Sequence, residues 1–323
     1  GGLLGRLARA RALADGGAHV VVRDAGAGRA AASWAAAGLL TPARPQQLPD
    51  AVHELAARSL ELWEGLGRHH PEVELRRTGL VLLAGDPAWI GWRRARGLPA
   101  ERIAWRRGDG LAAPALLLPE VAVVRAPRVA PALLAGIPVE RRAVTDLEAL
   151  RRSHDAVVVA AGAWAGPLLA AAGAAVRVAP RRGQMLLFRS GRLPAAILDP
   201  RADRLAVPRA DGRIVVGTTM EDAGFDATTR EADLAALERW ARREVPGLGA
   251  REDAWAGLRP WTDRALPAIG RADAGVVVAA GHGRNGMLLA PATGELVADL
   301  VLGRPPRVDP APFAPASAAG APR

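Results

Sequence analysis

The sequence predicts an α/β protein whose chain alternates between two architectures, one built on buried parallel-type strands and one mostly antiparallel. Two observations carry that reading. Val20-Val21-Val22, Ala156 to Ala160 and Val276 to Ala280 are apolar runs without polar alternation, the pattern of strands buried on both faces. Between the last two, Gln184 to Phe188, Arg204 to Val207 and Arg213 to Gly217 read as antiparallel strands, the last pair joined by an Asp211-Gly212 turn.

Taken in order, Gly1-Gly2-Leu3-Leu4-Gly5 is a turn that leads into an Ala/Leu/Arg-rich helix ending at Gly16-Gly17, followed by a strand from His19 to Arg23. Helical spacing returns over 51–65 (Val52, Leu55, Leu60, Trp63), and Leu/Val alternation after Arg76-Arg77 marks a strand over 76–84. Segment 100–130 is rich in Pro and Ala and carries no clear signal. Ala227 to Glu244 is amphipathic at helical spacing. The stretch after Gly303 is Pro/Ala-rich and expected to be loose.

Composition narrows the function. At 323 residues, 50% hydrophobic and 24% charged, the chain has material for two cores. The net charge of +10 rests on 43 basic residues that are all arginine. Its short basic runs, Arg93-Arg94 and Arg141-Arg142, are not interleaved with aromatics, so they read as solvated surface and not as a nucleic-acid interface. The absence of cysteine excludes disulfides, thiolate metal sites and a cysteine nucleophile, and no metal site is expected. No stretch reaches the roughly 20 apolar residues of a membrane span, and the first residues lack a signal-peptide pattern, so the expected location is cytoplasmic.

A dinucleotide turn needs glycine where backbone approaches a pyrophosphate and where helix packs on strand, with a helix N-terminus supplying free N–H groups. Gly2 and Gly5 fit the second and third glycines of G-x-G-x-x-G, with Leu3 and Leu4 between them; the first glycine and its strand would lie before Gly1. Asp24, 19 residues after Gly5 at a strand end, suits the ribose hydroxyls. The run Ala32-Ser33-Trp34-Ala35-Ala36-Ala37-Gly38-Leu39-Leu40-Thr41-Pro42 is apolar but too low in bulk for an ordinary core.

With these motifs, and with Asp155 to Trp164, Arg182-Gly183-Gln184-Met185, Val207-Pro208-Arg209, Trp255 to Pro260 and Gly281 to Thr293, the sequence resembles the glycine oxidases of the D-amino-acid-oxidase-like FAD enzymes. The resemblance implies a discontinuous Rossmann-like FAD-binding domain (1–45, 130–175 and 256–305), a mostly antiparallel α+β substrate domain (46–129 and 176–255) and a loose tail (306–323). It implies that Ala32, Ser33, Ala37, Gly38 and Leu39 run under the flavin and that Val144 contacts the adenine. His282, Gly283, Arg284, Asn285, Gly286, Met287 and Leu288 are implied to line the flavin.

The implied reaction is oxidative deamination of glycine or a similarly small amine by hydride transfer to flavin. Oxygen would reoxidise the flavin to give H2O2, commonly in the service of thiamine thiazole synthesis. Such chemistry must fix the substrate carboxylate, which a planar, permanently charged guanidinium does best through two parallel hydrogen bonds. The resemblance gives that task to Arg259, with Arg284 beside it. Two departures bear on substrate choice: Leu205 stands where the family carries a carboxylate-binding tyrosine, and Trp261 stands where it carries glycine. Other D-amino-acid or sarcosine-type oxidases or dehydrogenases stay open, as do a homo-oligomer and a non-catalytic remnant that takes up no FAD.

Overall fold

The computed structural model of the chain describes residues 11–42, 48–83, 87–171, 173–189, 193–264, 266–272 and 276–315. Its largest element is an eight-stranded sheet in the order Arg251–Trp261, Ala179–Phe188, Ile214–Gly217, Arg204–Pro208, Ala196–Asp199, Leu80–Leu83, Ala112–Leu118, Glu101–Arg106. Every neighbouring pair is antiparallel except Ala196–Asp199 with Leu80–Leu83. The Asp211-Gly212 turn forms as its residues dictate: Gly212 takes φ 82° and Asp211 Oδ1 accepts from the Arg213 amide.

The buried apolar runs form two parallel pairs. Val22–Arg23 pairs with Val139–Glu140, and Val158–Val159 with Val277–Ala280, to which Ala268–Arg271 adds antiparallel. Segment 100–130 is more regular than its composition suggests, with a hairpin of Glu101–Arg106 and Ala112–Leu118 followed by a helix at Ala126–Leu134. The hairpin lies at the sheet edge, where Pro114 is tolerated. Trp105 anchors it, buried with Nε1 donating to the Glu244 carbonyl. The helix expected over 227–244 begins only at Glu231, because Asp226 captures the Thr228 amide and hydroxyl while Gln184 Oε1 accepts from the Arg230 amide.

Three observations concern the segments on either side of the boundaries expected from sequence. The strand Arg251–Trp261 runs on across position 256, paired with Ala179–Phe188 in one register from Asp253 to Trp261 and shifted by a bulge at Glu252. The helix Asp50–His69, assigned to the substrate side, packs on the helix Gly286–Leu302. Residues 306–315 are not loose, since Val308 and Phe313 are buried in that same core. The basic run at Arg93 is also corrected: its side chain is 3% exposed, with Nη2 donating to the Pro99 carbonyl and Glu120 Oε1.

The two packed helices meet through a polar contact. Pro291 has no amide to donate inside the Gly286–Leu302 helix. Beside it, Ser59 Oγ donates to the Leu288 carbonyl at 2.5 Å and accepts from the Ala292 amide at 3.3 Å; Trp63 Nε1 donates to the same carbonyl at 3.1 Å. Ser59 thus stands in for one helical hydrogen bond and fixes the first turns of the helix that reach the cleft described next. Among the described residues no helix is long and apolar enough to cross a membrane, and no His, Asp and Glu cluster could hold a metal ion.

Candidate active site

The low-bulk loop, the end of the Arg251–Trp261 strand and the start of the Gly286–Leu302 helix converge on one cleft of about 1280 Å³, mouth included. Ala32, Ser33, Ala37, Gly38 and Leu39 form one wall, and His282, Gly283, Arg284, Gly286 and Met287 another. The loop is pinned by backbone. The Gly38 carbonyl accepts from the Val124 amide at 2.8 Å, and Trp255 Nε1 donates to the Ala35 carbonyl at 3.0 Å. Gly38 adopts φ 91°, and a Cβ there would lie 1.9 Å from the Val124 carbonyl oxygen. The loop can reach the cleft only because this position is glycine.

Not every expected residue faces that cleft. Leu288 is 1% exposed, in the core behind the helix, while Met287 and Ala290 take the cleft side. Asn285 closes the short turn Gly283–Asn285, its amide donating to the His282 carbonyl, and does not line the cleft. Asp24 and Val144 line a second cleft of about 1740 Å³. The turn at 160–162 joins the two, Ala160 and Ala161 facing the second and Gly162 the first. Gly2, Leu3, Leu4 and Gly5 lie outside the described residues. Asp24 is buried: its Oδ2 accepts from Arg141 at 3.0 Å and its Oδ1 from the Gly26 amide at 3.2 Å. Arg141 and Arg142 are mostly exposed, as expected of a solvated pair, while Arg142 also lines the rim of the same cleft.

The FAD implied by the sequence fits these surfaces on two grounds. Ser33 Oγ is buried in the first cleft with no hydrogen-bond partner among the described residues, a donor awaiting an acceptor. The glycine and alanine wall leaves a flat space that any longer side chain would fill, and a ring system matches it.

At the opposite side, Arg259 points across Gly183, where a Cβ would sit 2.0 Å from Arg259 Nη1. Its guanidinium donates to the Thr219 carbonyl at 3.1 Å and to Thr218 Oγ1. Among the described residues it meets no carboxylate. Burial and the neighbouring Arg284 pull its pKa down to about 10, opposed in part by the charges of Asp203 and Glu221. Arg284 differs: both terminal nitrogens donate to the Asp203 carboxylate. Behind Thr219 lies a buried polar network. Thr219 Oγ1 donates to Glu221 Oε1 and accepts from the Gln184 amide, and Arg182 pairs with Glu221 and Asp226.

Several lining residues were not anticipated as site residues: Met185, Leu198, Thr218, Gly257 and Gly162. Strand periodicity holds the missing signal. Residues two apart share a face, so Arg259 in the cleft brings Gly257, and Gly183 brings Met185. Leu205 lines the cleft as its motif position implies. Trp261 does not; its ring lies against Gly283, and its backbone bridges to His282.

Comparison with known proteins agrees with this geometry. A family model described as FAD-dependent oxidoreductase (DAO) matches residues 1–300. Glycine oxidase of Pseudomonas aeruginosa is 34% identical over 354 residues, covering 98% of this chain and 96% of the relative. Glycine oxidase of Pseudomonas putida is 35% identical over 356 residues with the same coverage. The crystal structure of glycine oxidase from Geobacillus kaustophilus superposes with a TM-score of 0.85 at 28% identity, over 98% of this chain and 96% of that one. With the cleft, its small-residue loop and a match over nearly its full length, the chain belongs to the DAO family of FAD-dependent oxidoreductases.

Proposed function

We propose that this enzyme oxidises glycine, or another small amine bearing one carboxylate, in the cleft that Arg259 closes. The overall reaction consumes the amine, O2 and H2O and yields the oxo acid, ammonia and H2O2. One observation carries the substrate class: a buried guanidinium faces the cleft with only neutral oxygens bound to it. A buried cation with no carboxylate bonded to it is costly, and an incoming carboxylate supplies a direct partner in a fork-shaped, two-bond geometry. Leu198, Leu205 and Met185 give the cleft an apolar flank near Arg259, which favours a short or apolar side chain. The near full-length relatives from the two Pseudomonas species support the same reading.

Bound flavin supplies the two-electron acceptor and passes the electrons to oxygen. The chain's residues hold it and orient the substrate. Ser33 and the Ala32 to Leu39 loop would carry the ring, the N-terminal turn of the Gly286–Leu302 helix would favour negative charge near it, and Asp24 and Val144 would hold the adenosine end. His282 is oriented by Thr293: its Nε2 lies 3.1 Å from the Thr293 hydroxyl, which donates to the Leu289 carbonyl. A 168-residue stretch is 36% identical to the bifunctional protein ThiO/ThiG of Nostoc sp., which supports thiazole synthesis for thiamine as the setting. A cytoplasmic location goes with that reading.

The test is spectroscopic. Purified enzyme is expected to be yellow and to bleach anaerobically on adding glycine, with sarcosine and D-alanine as comparison substrates. Flavin that stays oxidised with all three would rule the proposal out.

A further inference from the structure

Two guanidiniums face the same cleft, and only one is available to a ligand. Arg284 is held end-on by Asp203, whereas Arg259 touches no carboxylate among the described residues. Asp203 comes from the turn between the Ala196–Asp199 and Arg204–Pro208 strands, on the far side of the cleft from Arg284's own turn. That turn is built to hold it. Asp199 Oδ1 accepts from the Arg201 and Ala202 amides at 3.0 Å each, and Trp240 Nε1 donates to Asp199 Oδ2 at 3.1 Å. Asp203 itself adopts φ 56°, a left-handed conformation that Asp tolerates better than most residues. The next residue, Arg204, donates to the Thr218 carbonyl at 2.6 Å, and the Thr218 hydroxyl receives Arg259. The carboxylate that occupies Arg284 is therefore braced against the anchor of Arg259.

We propose that Asp203 is a specificity-determining residue: it acts as a built-in carboxylate that occupies Arg284 and restricts the cleft to substrates with a single carboxylate. The idea rests on the function proposed above and deepens it. Two arginines and one aspartate leave the cleft one positive charge, which one substrate carboxylate neutralises. A second carboxylate would find Arg284 taken and meet the repulsion of Asp203, a discrimination made by a repulsive element and not by size alone. Without that aspartate, Arg284 becomes a second carboxylate receptor and the cleft turns toward dicarboxylic amines.

Calorimetry on the FAD-loaded enzyme tests this with non-reacting probes, acetate against malonate and succinate. In the wild type neither dicarboxylate is expected to bind tighter than acetate. Asp203→Asn, which keeps shape and removes charge, is expected to raise the dicarboxylate-to-acetate affinity ratio roughly 10- to 100-fold, the worth of one charge-assisted pair. Adding Arg284→Gln should abolish the gain, which a purely structural role for the ion pair would not predict. The proposal is overturned if the ratio in Asp203→Asn stays within about threefold of wild type, or if the gain survives loss of Arg284. A wild type that already binds a dicarboxylate tenfold tighter than acetate also overturns it, and that measurement decides even if Asp203→Asn and Asp203→Ser fail to fold. Glycine-driven bleaching of the wild type reports separately on the parent reading, which can stand while the ratio does not move. Absence of acetate binding to the wild type would overturn the inference, while the parent reading would still be decided by the bleaching.

Discussion

Arg259→Gln is expected to lower kcat/KM for glycine by about 10²- to 10⁴-fold, the loss that follows removal of one partner from a desolvated, hydrogen-bonded charge pair. Most of that loss should fall on KM, because the carboxylate is bound alike in ground state and transition state. Arg259→Lys should recover part of it, keeping the charge but losing the planar fork. Stability should move the other way. Arg259 is a buried cation with no carboxylate hydrogen-bonded to it among the described residues, Asp203 and Glu221 offsetting its burial only in part, so its replacement is expected to leave the thermal midpoint unchanged or higher. A midpoint that falls sharply with the activity would point to a structural role.

The same residue predicts a pH profile. Its pKa is lowered to about 10 by burial and by Arg284, so the guanidinium is charged below that pH and loses its charge as pH rises through it. Acetate, which has no amine to titrate, should bind with constant affinity from pH 7 to 9 and about tenfold more weakly per unit above 10. A bound carboxylate stabilises the cation, so the bound enzyme should titrate higher than the free one. Affinity that stays flat to pH 11 would contradict this account.

Gly38→Ala is the other large effect expected, this time on folding and cofactor retention. Alanine at φ 91° is strained, and its Cβ would lie 1.9 Å from the Val124 carbonyl oxygen, which is backbone and cannot rotate aside. The cost is expected to reach about 4 kcal/mol or more, in the range reserved for strain and overpacking. The variant should purify with little or no flavin and unfold at lower denaturant. Gly28→Ala is the control: its φ is 53°, but a Cβ there meets nothing within 4 Å. Equal losses at both positions would mean that backbone strain alone, without the clash at Val124, accounts for the effect.

What could be seen in the sequence depended on whether a feature is written locally. The three buried apolar runs, the Asp211-Gly212 turn and the helix over 51–65 carry their own periodicity, and each appears in the fold near its expected place. The small-residue loop was legible because its lack of bulk is itself abnormal. Other features depend on partners distant in sequence. The hairpin over 101–118 is held by Trp105 reaching Glu244, and Phe313 is buried by a core assembled from residues 40 to 308. The pairing of Arg284 with Asp203 joins positions 81 apart and leaves no trace in either local motif. Leu288 shows the converse: its motif places it near the flavin, but the helical period of 3.6 turns it inward while Met287 and Ala290 face the cleft.

The walls of the first cleft are drawn from residues 32–41, 162, 183–185, 198–205, 218, 257–260 and 279–290. Neither of its two densest stretches, 32–41 and 279–290, contains as much as half of it. During synthesis from the N-terminus, the flavin surface therefore does not exist until the residues near 290 have left the ribosome and docked. The second cleft, drawn from residues 21–171, is in hand much earlier, so the two ends of one cofactor site become available at different stages of synthesis.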